Sequence, residues 1–379
     1  MKILLVGGGS AGHITPSLSV AKELKKIDSS VELEFVIDHG SKFIDLPKND
    51  PNISKTHQVF AGKLRRYHGE SFFRQILDFK TVFFNIRDFF KLMIGTIQAL
   101  VFVRKTKPDI VFIKGGFVGV PVGLASAFWR IPYVVHDSDA VPGLANRIIG
   151  KKAKMHLVGM PAEYYNYPKS KTLFVGNPVS SNFKHITKKL QDELKAIFNI
   201  KPGSKVLTIT GGSLGAQKLN EGLMPIVNAL VAKNDNLFVL HQTGGQMKGR
   251  KLYENNDRII ELEFVDNMSE FVGAADVVIA RGGAGTIAEL AVMAKPTILV
   301  PNPRLTGGHQ LVNTEHLTKQ GAVMKITEEE LEDTQKAAKI IEDLLNSPKN
   351  QTELSKAIEK VAKPGSAKEI AKYLLGQKA

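Results

Sequence analysis

The sequence predicts an α/β protein built from two consecutive doubly wound parallel-sheet domains, and three observations carry that prediction. Short apolar runs alternate with helical patterns, and the alternation occurs twice along the chain. Glycine-rich turns follow three of those runs, at residues 7–12, 211–215 and 282–285, the strand-to-helix position at which open parallel sheets receive ligands. The length of 379 residues, 43% of them hydrophobic, is more than one core usually holds.

Composition narrows the chemistry. With no cysteine there is no disulfide framework, thiolate metal site or cysteine nucleophile. Met1-Lys2-Ile3-Leu4-Leu5-Val6 runs straight into a glycine turn, a start without the charged, apolar and cleavage regions of a signal peptide, so a cytoplasmic protein is expected. The formal charge of +14 is uneven: residues 1–177 carry 25 Lys and Arg against 14 Asp and Glu, residues 178–379 carry 26 against 23. A basic amino half favours polyanions. Zinc-finger spacing, an RNP-type aromatic run and arginine-rich tracts are missing, so an anionic membrane surface is expected rather than nucleic acid.

Taken in order, residues 2–6 read as a buried strand, 7–12 as a loop and 14–26 as a helix with Pro16 in its first turn. Gly7-x-Gly9-x-x-Gly12 matches the dinucleotide fingerprint, and Asp38, closing a second strand at 31–37, stands where a ribose-binding acid would. An NAD-type domain is one reading; it leaves His13 unexplained. At a helix start that imidazole is either a general base or a ring that only hydrogen-bonds its loop. Residues 63–107 carry ten Lys and Arg and three Asp and Glu, interleaved with Phe72-Phe73, Phe83-Phe84 and Phe89-Phe90. The apolar run 92–103 is too short to span a bilayer at roughly 20 residues per crossing and reads as a core helix. Residues 63–91 read as an interfacial helix on anionic lipid, or else as a solvated helix face.

Residues 109–113 form the next strand, ending at Gly115-Gly116, and residues 133–136 another, ending at Asp137-Ser138-Asp139. Asp-x-Asp holds a divalent cation in one class of sugar-nucleotide enzymes, but glycine turns already offer diphosphate sites, and a loop facing a cleft is the expectation here. Prolines and aromatics from 160 to 178 mark a linker, giving domains at 1–177 and 178–363, with a final helix at 364–379 packing back on the first. The second alternation begins with a strand at 205–210 and the loop Gly211-Gly212-Ser213-Leu214-Gly215-Ala216, followed by a helix at 220–232 and strands at 238–241 and 259–264. Next comes the apolar run 276–280 with Gly282-Gly283-Ala284-Gly285-Thr286 and Glu289. Glu289 either reaches hydroxyls of a bound nucleotide or forms a capping box with Thr286. Gln310 and Asn313, three apart, share a helix face, where their amides either read sugar hydroxyls or meet water.

Several separated blocks then resemble one family: Gly8-Gly9-Ser10-Ala11-Gly12-His13, Lys114-Gly115-Gly116-Phe117-Val118, His136-Asp137-Ser138-Asp139, Pro142-Gly143-Leu144-Ala145-Asn146, Gly176-Asn177-Pro178-Val179, His241-Gln242-Thr243-Gly244, residues 281–289, and Gly308-His309-Gln310 with Asn313. Over residues 1–321 the chain resembles the glycosyltransferase family 28 enzymes of bacterial peptidoglycan synthesis. The resemblance implies a GT-B fold and an inverting, metal-independent transfer without cofactor. The donor would be UDP-N-acetylglucosamine, and the acceptor undecaprenyl-linked lipid I at the cytoplasmic face of the cell membrane. It assigns Val265 to the uracil, Glu289 to the ribose, Ser213, Ala284, Gly285 and Thr286 to the diphosphate, and Gln310 and Asn313 to the sugar. Ser10, Ala11, Gly12, Asp139 and Asn146 would face the acceptor, with His13 as base. Ser180 stands where an arginine often follows the Asn-Pro-Val turn, and Asp137 where glutamate is usual, so a cationic donor contact and a methylene of reach are lost. Rival expectations are a GT-B transferase for another lipid, a UDP-N-acetylglucosamine 2-epimerase, a sugar-nucleotide-binding scaffold and an NAD enzyme.

Overall fold

The computed structural model describes residues 1–64, 78–212, 215–247 and 249–376. It divides into two compact units, one comprising Met1–Ser180 with Arg304–His309 and Lys363–Ala379, the other Ser181–Pro303 with Gln310–Ala362. In the first unit the described strands are β1 (Lys2–Val6), β2 (Glu32–Asp38), β3 (Lys55–Val59), β4 (Ile110–Ile113), β5 (Tyr133–Asp137), β6 (Met155–Val158) and β7 (Thr172–Phe174). They form one parallel sheet in the order β3-β2-β1-β4-β5-β6-β7. The second unit repeats the plan with β8 (Lys205–Thr210), β9 (Leu237–Gln242), β10 (Ile259–Leu262), β11 (Val277–Ala280), β12 (Thr297–Leu299) and β13 (Met324–Lys325), in the order β10-β9-β8-β11-β12-β13. Each sheet reverses direction of winding beside its first strand, between β1 and β4 and between β8 and β11.

The central strands β1, β4, β8 and β11 are mostly apolar because both faces are covered. Ile3 and Leu5 enter one core with the helices Ala11–Ile27 and Ser366–Leu374, while Leu4 and Val6 enter the other with Ala99, Val103, Val122 and Ala125. In the second unit Leu207 and Ile209 face the helices Gln217–Lys233 and Thr334–Leu345, whereas Val206 faces Ile287 and Leu290 of the helix Ala284–Val292. Full burial of each Val, Leu or Ile side chain contributes about 1.5–3 kcal/mol, which is what holds helices to both faces.

Three sequence expectations change. The helix Ala11–Ile27 starts earlier than expected, so Pro16 lies inside it, past the first turn; without an N–H it leaves the Gly12 carbonyl without its helical donor. The stretch 160–178 is not all linker: Tyr164, Tyr165, Tyr167 and Phe174 pack with Ala140, Val158 and Met160 into a small core, and Thr172–Phe174 adds β7. Residues 92–103 are part of one helix, Phe79–Thr106, that buries only one stripe. Ala99 and Val103 turn inward, while Phe83, Ile86, Phe90, Met93, Ile97 and Val101 are all at least half exposed. Two glycines set this helix against the chain leaving β3. A Cβ on Gly95 would lie 1.6 Å from the Phe60 carbonyl oxygen, and one on Gly62 1.8 Å from that of Asp88. The expected interfacial segment 63–91 lies partly outside the described residues, which omit 65–77 with Phe72 and Phe73. No helix among the described residues is long and apolar enough to cross a membrane.

Candidate functional site

In the first unit the turns after β1, β4 and β5 interlock at the switch point. Gly9 has φ +78° and donates its N–H to Asp38 Oδ1 at 2.9 Å, so the acid that an NAD reading would give to ribose is committed to the loop. A Cβ on Gly9 would meet the Phe117 ring at 2.5 Å, and one on Gly116 would meet the His13 ring at 3.2 Å. Glycine there lets the β4 turn lie flat on the first loop. Ser10 is the N-cap of the helix Ala11–Ile27 but makes no side-chain cap bond, which leaves its hydroxyl beside the exposed Gly12 and the partly buried Ala11.

His13 occupies the first turn of that helix, partly buried, and its Nδ1 has no hydrogen-bond partner among the described residues. Burial pushes its pKa down to about 4, Lys114 adding to the effect and Asp139 opposing it. The ring is therefore neutral at pH 7 and has a lone pair to offer. The ring hydrogen-bonds the Lys114 backbone, on the neighbouring β4 turn. Asp139 follows β5; its backbone carbonyl accepts from Tyr165 OH at 2.8 Å. Asn146 is buried, donates from Nδ2 to the His136 carbonyl at 2.9 Å, and has an Oδ1 without a partner among the described residues. Asp137 accepts from Tyr167 OH at 2.9 Å and Gly143 N–H at 3.3 Å, holding the loop. Among the described residues no three His, Cys, Asp or Glu side chains group as a metal site.

In the second unit the turns after β8 and β11 flank the switch point. Gly283, extended at φ −76° and ψ 134°, is the N-cap of Ala284–Val292, with no side-chain cap. Thr286 is therefore the third residue of the helix, and the capping box with Glu289 does not form. The first bond of the ladder runs from Ile287 N–H to the Gly283 carbonyl at 2.9 Å, so the N–H groups of Gly285 and Thr286 precede it and point outward with the dipole. A Cβ on Gly285 would meet nothing within 4 Å, leaving room for a ligand at the helix start. Glu289, one turn on, is partly buried and has no hydrogen-bond or ion-pair partner among the described residues; burial lifts its pKa to about 7.

Gln310 and Asn313 are buried against this loop. Asn313 donates to the Gly282 carbonyl at 3.1 Å, and Gln310 Oε1 accepts from Asn302 N–H at 2.9 Å, so the Gln310 Nε2 remains for a ligand. A Cβ on Gly282 would lie 2.5 Å from Thr314 Oγ1, which explains why the loop needs glycine there. Val265 follows β10 with its backbone N–H and C=O outside every backbone hydrogen bond described. Ser213 lies outside the described residues, and Ser180 is the last residue of the first stretch of the first unit. Sequence reasoning missed Tyr165, Tyr167 and Asp38 as supports of the first site and gave Lys114 no role; only the adjacency of Lys114 to Gly115-Gly116 pointed toward it.

Two family models match the chain: Glycosyltransferase family 28 N-terminal domain over residues 3–158 and Glycosyltransferase family 28 C-terminal domain over residues 206–370. A Clostridium kluyveri protein named UDP-N-acetylglucosamine--N-acetylmuramyl-(pentapeptide) pyrophosphoryl-undecaprenol N-acetylglucosamine transferase is 33% identical over 332 residues, covering 87% of each chain. The crystal structure of Acinetobacter baumannii MurG aligns at a TM-score of 0.72 and 23% identity over 99% of each chain. The UDP-GlcNAc 2-epimerase of Neisseria meningitidis bound to UDP-GlcNAc aligns at 0.66 and 15% over the whole of both. At those identities the two structures speak for the two-domain GT-B fold, which a transferase and an epimerase share; the sequence relationship separates them.

Proposed function

The chain belongs to glycosyltransferase family 28, and on that premise we infer that it transfers N-acetylglucosamine from UDP-N-acetylglucosamine to the C4 hydroxyl of the muramyl sugar of lipid I, forming lipid II with inversion. The observation that carries the donor side is Glu289, a partly buried carboxylate without a partner among the described residues, one turn into a helix whose open start follows a glycine loop. Ribose hydroxyls donating to that carboxylate, and diphosphate oxygens accepting from Gly285 and Thr286 N–H, satisfy both. Ala284 opens the same turn, Val265 offers backbone groups to uracil, and Gln310 Nε2 donates to the sugar. Asn313 acts by holding Gly282. On the acceptor side Ser10, Ala11, Gly12, Asp139 and Asn146 surround the hydroxyl, and His13 takes its proton.

In the reaction the acceptor oxygen forms a bond to the anomeric carbon as the bond from that carbon to the UDP oxygen breaks. The electron pair leaves on UDP, and the acceptor proton moves to His13. Helix-start N–H groups stabilise the charge that develops on UDP, as preorganised dipoles do in oxyanion-type sites. Radiolabelled transfer to lipid I, with and without a chelator, tests the proposal: lipid II should form equally in both, and loss of transfer in chelator would overturn the metal-independent reading. Labelled free N-acetylmannosamine or its nucleotide in place of lipid II would favour the epimerase.

Peripheral attachment to the cytoplasmic face of the membrane rests on the exposed stripe of Phe79–Thr106, flanked by Arg87, Lys91, Arg104 and Lys105. Apolar side chains enter the lipid interface while the cations meet anionic headgroups. Replacing Phe83 and Ile97 together by aspartate should weaken sedimentation with phosphatidylglycerol vesicles by about tenfold or more and spare transfer to a short-chain soluble acceptor. Unchanged sedimentation would contradict the docking face.

A further inference from the structure

We propose that Lys114 is a positioning residue of the acceptor half-site: its buried ammonium ties the Ser138–Asp139 turn to the β4 turn that packs on His13. The inference rests on the reading of His13 as the base. Lys114 directly follows β4, the strand beside β1 at the switch point, and its backbone N–H donates to the Val6 carbonyl at 3.0 Å. It is 1% exposed, and its Nζ donates to Ser138 Oγ. A lysine is rarely buried unless its charge is compensated. Here the compensating carboxylates are Asp137 and Asp139. Asp137 also accepts from Tyr167 and Gly143, and Asp139 acts on His13 as well as on Lys114.

The turn that follows brings the cation to the ring. Gly115 and Gly116 have φ of +101° and +79°, a reversal that side chains resist, and Gly116 packs directly on the His13 ring. The charged groups facing His13 among the described residues are Lys114 and Lys63, which disfavour its protonation, and Asp139, which favours it. His136, on β5, is fully buried and held neutral. Lys114 and Asp139 thus act in opposite senses on one proton, the first keeping the base free and the second steadying the imidazolium once formed.

The sign of the test follows. Lys114→Met removes a repulsion from the imidazolium, so the acidic limb of kcat/KM should move upward by about one pH unit toward the ordinary histidine value. Lys114→Arg should leave it in place, and Asp139→Asn should move it down. Circular dichroism and UDP binding verify that each variant is folded. A Lys114→Met limb superimposable on that of the unaltered protein, with His13→Ala inactive, overturns the role of Lys114 and leaves the base standing. Full transfer by His13→Ala overturns the base itself. Should Lys114→Met not fold, the His13 ring resonance followed in the unaltered protein answers the question: the buried amine titrates at about 8, and the ring signal should step there. A flat trace across that range is the contrary result.

Discussion

Replacing His13 with alanine is expected to lower kcat by about 10²- to 10⁴-fold, the usual contribution of a positioned general base, while leaving UDP affinity unchanged. The asymmetry follows from the fold. His13 belongs to the loop and helix after β1 in the first unit, whereas Glu289, Gln310 and the open helix start at Gly285 belong to the second. The pH dependence is a second consequence. Burial, with Lys114 adding to it, brings the imidazole down to about 4, so transfer should persist well below the pH at which an ordinary histidine gains its proton. Stability responds in the same direction. The unfolded chain protonates His13 near the ordinary value and the folded chain only near 4, so the His13 contribution to folding stability is lost as pH falls between the two. His13→Ala should remove that loss at the acidic end. Transfer rates and UDP calorimetry on the two proteins, with melting curves from pH 4 to 7, check each part; equal kcat would remove the base assignment.

How far the molecule is legible from its sequence depends on which contacts create each feature. β1, β4, β8 and β11 show themselves because coverage on both faces makes the strands mostly apolar, and the glycine turns after them stand out for the same local reason. β7 does not, since Thr172–Phe174 sits at a sheet edge among prolines and tyrosines whose packing with Met160 is formed only in the folded unit. Strand order is likewise hidden. Nothing local announces that β4 lies beside β1, yet that pairing is what lays Gly116 on His13 and brings Lys114 near it. The helix Phe79–Thr106 misleads in the other direction: apolar periodicity there marks an exposed face, and the inward side is recognised by Gly62 and Gly95, where two backbones touch. At the donor loop the sequence offers Thr286 and Glu289 at capping-box spacing, and only the N-cap at Gly283 shows that no such box forms.

The Glu289 carboxylate sets the second large effect. Glu289→Ala is expected to raise the donor KM by about 100-fold or more, because two hydroxyl donors to an ionised carboxylate contribute roughly 1.5–3 kcal/mol each. kcat at saturating donor should fall less. A capping role would give the opposite pattern, a lower melting temperature with donor KM intact, and the absence of any side-chain cap at Gly283 argues against it. The protonation behaviour supplies an independent test. Burial raises the Glu289 carboxyl to about 7, whereas the unfolded chain titrates it in the ordinary carboxylate range, so between those values the folded protein holds the extra proton. The Glu289 contribution to the stability of the unliganded protein is therefore lost as pH rises toward and through 7, opposite in sign to that of His13. Ribose hydroxyls favour the ionised form, so donor affinity should increase over the same interval and donor binding should release a proton. Calorimetry of UDP binding in buffers of different ionisation enthalpy measures that release directly. Glu289→Gln should abolish it and flatten both pH dependences; proton release unchanged in that variant would place the ribose contact on another residue.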